Sequence, residues 1–159
     1  MPMGEPEQWV KEWAAEAVIP DGDGYWCCGH NYYLYDHPER GMLWIPWDKD
    51  GTFDWIPVDT EPGSIWYPDY TPHLAAMMAV PEWKAAYTAE VALLTETYGN
   101  EQMLAVYAEW LEQTYEYGVN DPYRYYDNSY YEYYIDSLPA FIASRRSYLD
   151  AWVLEHAGG

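Results

Sequence analysis

The chain has 159 residues, half of them hydrophobic and 19% aromatic, with 27 acidic side chains against seven Lys and Arg and a formal net charge of −20. That length suits one domain with a real core, while a field so negative repels nucleic acid and anionic membranes and excludes both as partners. No run of about 18 apolar residues is present to cross a bilayer, and no signal-peptide pattern opens the sequence. The first helix is predicted over 7–18, where Trp9, Val10, Trp13, Ala14, Ala17 and Val18 share one face and Pro20-Asp21-Gly22 stops it. A glycine-rich loop follows over 19–30. Residues 31–47 read as a β-hairpin: aromatic Tyr32 to Tyr35, a polar turn from Asp36 to Gly41, then apolar Met42 to Trp47. Residues 48–70, with Pro57, Pro62 and Pro68, are aperiodic and form a long loop pinned by Trp55, Trp66 and Tyr67.

Helices are predicted across 71–156. Thr71 caps a short one, with Pro72 in its first turn and its end near Val80. Pro81 opens a second that Gly99-Asn100 stops, and a third runs from about Glu101 to Tyr117 with Gly118 as its stop. Ser129 caps another stretch, which Ser137 and Pro139 restart or bend into a final helix. The expected fold class is α+β, mainly helical with a small β-hairpin, in a single domain over 1–159.

The hairpin decides where chemistry is expected. Asp23 precedes it and Asp48 follows it, so a chain that folds back on itself brings the two carboxylates together. Paired carboxylates suit a hard divalent cation, or one base beside one metal ligand. The competing reading of Asp23 and Asp50 is a plain turn, since Asp-Gly is common turn chemistry. An EF-hand alignment of Asp48, Asp50 and Asp54 around Gly51 puts Pro46 and Pro57 at the loop ends where carboxylates are required, and so fails. Cys27 and Cys28 are the only cysteines. Adjacent residues seldom bridge each other, and with His30 and His37 they match no zinc spacing, so small apolar loop residues are expected there. Arg145 and Arg146 are expected in internal ion pairs, with a phosphate contact by Arg145 as the alternative. Tyr123, Tyr125, Tyr126, Tyr130, Tyr131, Tyr133 and Tyr134 are either a sugar-stacking platform or helix packing, with packing preferred.

Three segments, Asp23-Gly24-Tyr25, Asn31-Tyr32-Tyr33-Leu34-Tyr35 and Pro46-Trp47-Asp48-Lys49-Asp50, resemble the core of the CotH-type spore-coat protein kinases. The helix from Gln8 to Val18 fits the one before that family's catalytic loop. Pro81-Glu82-Trp83-Lys84-Ala85-Ala86-Tyr87 resembles its "VPEFRxxY" helix start, and Phe141-Ile142 with Arg145-Arg146-Ser147-Tyr148-Leu149 its closing "FIxxRRxYL" helix. The resemblance implies a kinase-like C-terminal lobe whose hairpin carries the acidic site. It makes Asp23 the catalytic aspartate, Asn31 and Asp48 nucleotide-binding, and Asp48, Asp50 and Asn31 the metal ligands. The implied cofactors are Mg2+ and ATP, the partner a protein with a Ser or Thr acceptor, and the setting extracellular or a spore coat. Phosphoryl transfer needs metal ions on the phosphates and a group that takes the attacking hydroxyl's proton.

One departure bears on activity. Kinases of this kind also use a preceding lobe with a nucleotide-covering loop and a lysine on the phosphates. Besides Lys49 the chain has only Lys11 and Lys84, both on amphipathic helix patterns, and the family's Asn-Trp before the first aspartate is Asp21-Gly22 here. The sequence therefore reads as the C-terminal half of such a domain, with an N-terminal lobe or a partner chain expected to complete it. The alternative function is a non-catalytic module that keeps the fold and binds a carbohydrate or a protein. A calcium-stabilised structural domain is the third reading.

Overall fold

The computed structural model describes residues 5–53 and 56–156. The chain runs α1 (Pro6–Val18), α2 (Tyr25–Cys28), β1 (Tyr32–His37), β2 (Gly41–Pro46), α3 (Pro72–Met78), α4 (Pro81–Thr97), α5 (Glu101–Asn120) and α6 (Asn128–His156). It is a mainly helical α+β fold with one antiparallel hairpin, as expected. Residues 54 and 55, which include Asp54 of the calcium-loop alignment and the proposed loop anchor Trp55, lie outside the described residues.

Helix α1 is the central strut. Its Ala14 and Ala17 have no side chain beyond Cβ and are fully buried, which lets α4 approach closely with Tyr87 and Val91. From the other side Trp13 stacks on Tyr25 at 5.1 Å and meets Trp44 edge-on at 5.3 Å. Trp44 in turn stacks on Tyr32 at 4.2 Å. Gln8 completes the junction: its amide donates to Trp44 O at 2.9 Å, and Trp44 N–H donates back at 3.4 Å. The hairpin is thus bolted to α1 through one face, with Tyr32 opposite Pro46 and Leu34 opposite Trp44.

Several helix ends differ from expectation for identifiable reasons. Thr71 sits at the N-cap of α3, but its hydroxyl donates backward to Tyr67 O at 3.0 Å and makes no cap bond. Gly118 does not stop α5, which continues to Asn120. A Cβ there would lie 2.2 Å from the Tyr131 hydroxyl, so this glycine makes room for α6. Asp127, not Ser129, caps α6, accepting from Tyr130 N–H at 2.9 Å and the Ser129 hydroxyl at 2.7 Å. Pro139 neither ends nor restarts α6 but lies inside a 29-residue helix. Proline cannot supply the N–H that Ile135 O would accept, and the Tyr107 hydroxyl of α5 donates to that carbonyl instead at 3.0 Å.

Arg145 corrects another expectation. It is fully buried and, among the described residues, makes no ion pair. Its guanidinium donates to Ala17 O at 2.6 Å and Val18 O at 3.3 Å, the open carbonyls at the end of α1, and to Val58 O and Thr60 O at 2.8 and 2.6 Å. One planar fork satisfies a helix C-terminus and fastens the long loop to it. Burial pulls the group down to about 10, still charged at neutral pH. Arg146 pairs with Asp150 at 2.9 Å, an exposed pair one turn apart within α6 and not the internal pair expected, and donates to Tyr98 O.

Candidate active site

The two ends of the hairpin meet. Trp47 N–H donates to Asn31 O at 3.1 Å, closing the base of the ribbon. Asn31 before β1 and Asp48 after β2 both take left-handed backbone, φ 53° and 51°. Asn and Asp tolerate that region better than other side chains, and such residues flank functional sites more often than chance. The Asn31 amide nitrogen donates to Asp23 Oδ2 at 2.9 Å and to Asp48 O at 3.3 Å, so one side chain spans both aspartates. His30 Nδ1 lies 3.1 Å from Asp23 Oδ1. Gly22 N–H donates to Gly51 O at 2.8 Å. A Cβ at Gly51 would lie 3.0 Å from that of Asp23, so the two loops are in van der Waals contact.

Asp23, Asp48 and Asp50 line one cleft of about 520 Å3 with Gly51, Arg124, Tyr126, Tyr130, Tyr131 and Tyr134. All four residues singled out from the sequence therefore collect at one end of the hairpin. The donors are hard carboxylate and amide oxygens, the set that suits magnesium. Among the described residues no group of three or more His, Cys, Asp or Glu side chains closes on a single point. Magnesium is commonly held by one or two carboxylates, with water and phosphate completing its shell.

Beneath the cleft lies a second acidic cluster that faces inward. Lys49, between the two cleft aspartates in sequence, turns its side chain into the core. Its Nζ pairs with Glu16, lies 3.2 Å from Asp21 Oδ2 and 3.7 Å from Glu12 Oε1. Glu16 and Asp21 are 1% and 0% exposed. Glu16 also accepts Trp26 N–H at 2.6 Å, and Asp21 accepts Asp23 N–H at 3.0 Å. Burial pushes Glu16 up to about 7 against the pull of Lys49. Burial alone would lower Lys49, but Glu16 and Asp21 outweigh it and hold the ammonium above the ordinary lysine value.

A family model described as CotH kinase protein matches residues 7–149. The chain belongs to the CotH kinase family. No curated protein matches it. The matched span includes the hairpin, both acidic loops and α6 as far as Leu149. Within this CotH-family fold the sequence reading missed three features of the site. The inward cluster was legible in principle: Glu16 follows Trp9 and Trp13 at helical spacing, a carboxylate on an otherwise apolar stripe. The opposite cleft wall was not, because nothing local says that residues 124–134 return to the hairpin. The tyrosine group divides there. Tyr123 and Tyr125 are 93% and 90% exposed, whereas Tyr126, Tyr130, Tyr131 and Tyr134 face the cleft. Third, Cys27 and Cys28 are joined to each other, contrary to expectation, while His37 accepts from the turn N–H groups of Glu39 and Arg40.

Proposed function

We propose that this chain is the phosphate-handling half of a CotH-family protein kinase, moving the terminal phosphoryl of Mg-ATP to a Ser or Thr hydroxyl of a coat or extracellular protein. The observation that carries this reading is the Asn31 amide nitrogen bonded both to the Asp23 carboxylate and to the Asp48 carbonyl, at the mouth of one acidic cleft. Asp23 is the base: Asn31 orients its carboxylate, which takes the proton of the attacking hydroxyl. Asp48 and Asp50, with the amide oxygen of Asn31, are the groups to hold magnesium. When bound, magnesium neutralises charge on the phosphate oxygens and aligns them. In a chain of net charge −20, an anionic nucleotide needs that neutralisation to approach at all. None of the three lysines lines the cleft, so a lysine-bearing lobe, in cis or from a partner chain, belongs to the complete enzyme.

The test is radiolabel transfer from ATP to Ser/Thr acceptor proteins, with and without an added N-terminal lobe. Transfer should require magnesium, stop with EDTA, and fall about 10²- to 10⁴-fold in Asp23→Asn. No transfer with the lobe supplied, or equal transfer by Asp48→Ala, ends the catalytic claim.

The tyrosine wall favours a second reading, a binding module that uses stacked rings to hold a carbohydrate or a protein side chain. Tyr126, Tyr130 and Tyr134 form a row with centroids 4.4 and 4.8 Å apart. Calorimetric heats with glycans that persist in EDTA would favour it over the kinase.

A further inference from the structure

We infer that Lys49 is a positioning residue that sets the spacing between Asp23 and Asp48, by clamping the segment that bears Asp48 and Asp50 onto α1 and onto the turn before Asp23. Its purpose rests on the phosphotransfer reading above; its geometry does not. Of the three carboxylates around Lys49 Nζ, Glu16 and Asp21 continue into the backbone of the site. Asp21, 3.2 Å away, uses its other oxygen to accept Asp23 N–H at 3.0 Å. Glu16 uses its other oxygen to accept Trp26 N–H in α2, the helix that follows the Asp23 turn. Beside them Gly22 N–H meets Gly51 O, one residue beyond Asp50. One ammonium thus joins α1, the Asp23 turn and the Asp48–Asp50 segment.

Charge points the same way. Glu16 and Asp21 are buried together, and like charges out of water repel strongly. Lys49 is the one Lys or Arg paired with them among the described residues. Without it the two carboxylates must part or take up protons, and either change moves the turn that carries Asp23. Carboxylates that share an ion with phosphates tolerate displacements of only about half an ångström. Sequence alone hides the role, because a lysine flanked by two aspartates reads as a solvated surface charge.

The test compares the wild-type chain with Lys49→Met, Lys49→Arg and Lys49→Met/Glu16→Gln. The double variant removes the buried charge pair while keeping an acceptor for Trp26 N–H, and serves if Lys49→Met does not fold. Amide exchange at Gly22 and Asp23 reads the turn directly, and Mn2+ affinity by electron paramagnetic resonance reads the cleft, with Asp48→Asn as control. In the folded methionine variant the two amides should exchange at least tenfold faster while Val91 and Leu149 stay protected. Its Mn2+ affinity should fall about 10- to 100-fold, the range for lost supporting contacts around a metal, and Lys49→Arg should recover most of both. Wild-type exchange and Mn2+ affinity in a folded methionine variant overturn the assignment, as does failure of arginine to recover either. Faster exchange at Gly22 and Asp23, combined with equal Mn2+ affinity in wild type and Asp48→Asn, overturns the phosphotransfer reading and the purpose given to Lys49. The amides tell that result from the first.

Discussion

Glu16 makes the folded state sensitive to pH, and the sign follows from its burial. Its carboxyl moves from an ordinary 4.5 up to about 7, mainly through loss of water. Between those values the folded chain keeps a proton that the unfolded chain has released. Stability from this group is therefore complete below about pH 4.5 and is lost as pH rises toward 7. The full rise corresponds to about 3 kcal/mol, an upper figure because Lys49 is coupled to the same carboxylate. Glu12 is also raised, chiefly by burial, and acts with the same sign. The perturbation is Glu16→Gln, which mimics the protonated acid and keeps an acceptor for Trp26 N–H. The assay is urea unfolding followed by tryptophan fluorescence, at fixed ionic strength, from pH 5 to 8. Wild type should lose up to about 2.5 kcal/mol more than the glutamine variant across that range. Comparing the two removes the general repulsion of an acidic chain, which both share. Parallel stability curves, or a wild type that gains stability toward pH 8 relative to glutamine, would show that Lys49 keeps Glu16 ionised and that the burial argument is wrong.

Three further outcomes are expected. Tyr107→Phe leaves Ile135 O without the hydroxyl that replaces the missing proline N–H, and should cost about 1 to 2 kcal/mol in chemical unfolding; pairing it with Pro139→Ala should recover part of that, and additive effects would refute the coupling. Arg145→Met strands four carbonyls at the end of α1 and in the long loop; a loss of about 3 to 5 kcal/mol is expected, against under 1 kcal/mol if water replaces the guanidinium. Gly118→Ala should lower Tm despite the better helix propensity of alanine, because the new Cβ meets the Tyr131 hydroxyl; a rise in Tm would mean that the ring moves aside freely.

The parts of the fold legible in the sequence are those with local causes. Helical spacing from Trp9 to Val18 and the turn from Asp36 to Gly41 located α1 and the hairpin to within about two residues. The convergence of Asp23 and Asp48 followed from hairpin topology alone, since a ribbon must return to its own base. What stayed hidden depended on partners distant in sequence. Gly118 and Pro139 are helix breakers by every local rule, yet both sit within helices, because Tyr131 needs the space at one and Tyr107 repairs the carbonyl at the other. Arg145 read as half of an ion pair, since its alternative, four backbone carbonyls from α1 and the long loop, exists only once the chain is folded.

The acids at the base of the hairpin fall into two populations with opposite physics, and the site lies on the boundary between them. Asp23, Asp48 and Asp50 are exposed and open onto the cleft, where water and incoming cations can compensate them. Glu16 and Asp21 are sealed below, where solvent cannot reach them and the charge of Lys49 must serve. The boundary passes through three consecutive residues, with Asp48 and Asp50 facing out and Lys49 facing in. A sealed charge cluster gives weak net stability but is intolerant of displacement, since every shift alters a strong interaction. It therefore suits a foundation better than a glue: it holds the outer aspartates at a set spacing with or without a cation between them. A cleft preorganised in that way need not spend the binding energy of its ligand on ordering its own walls.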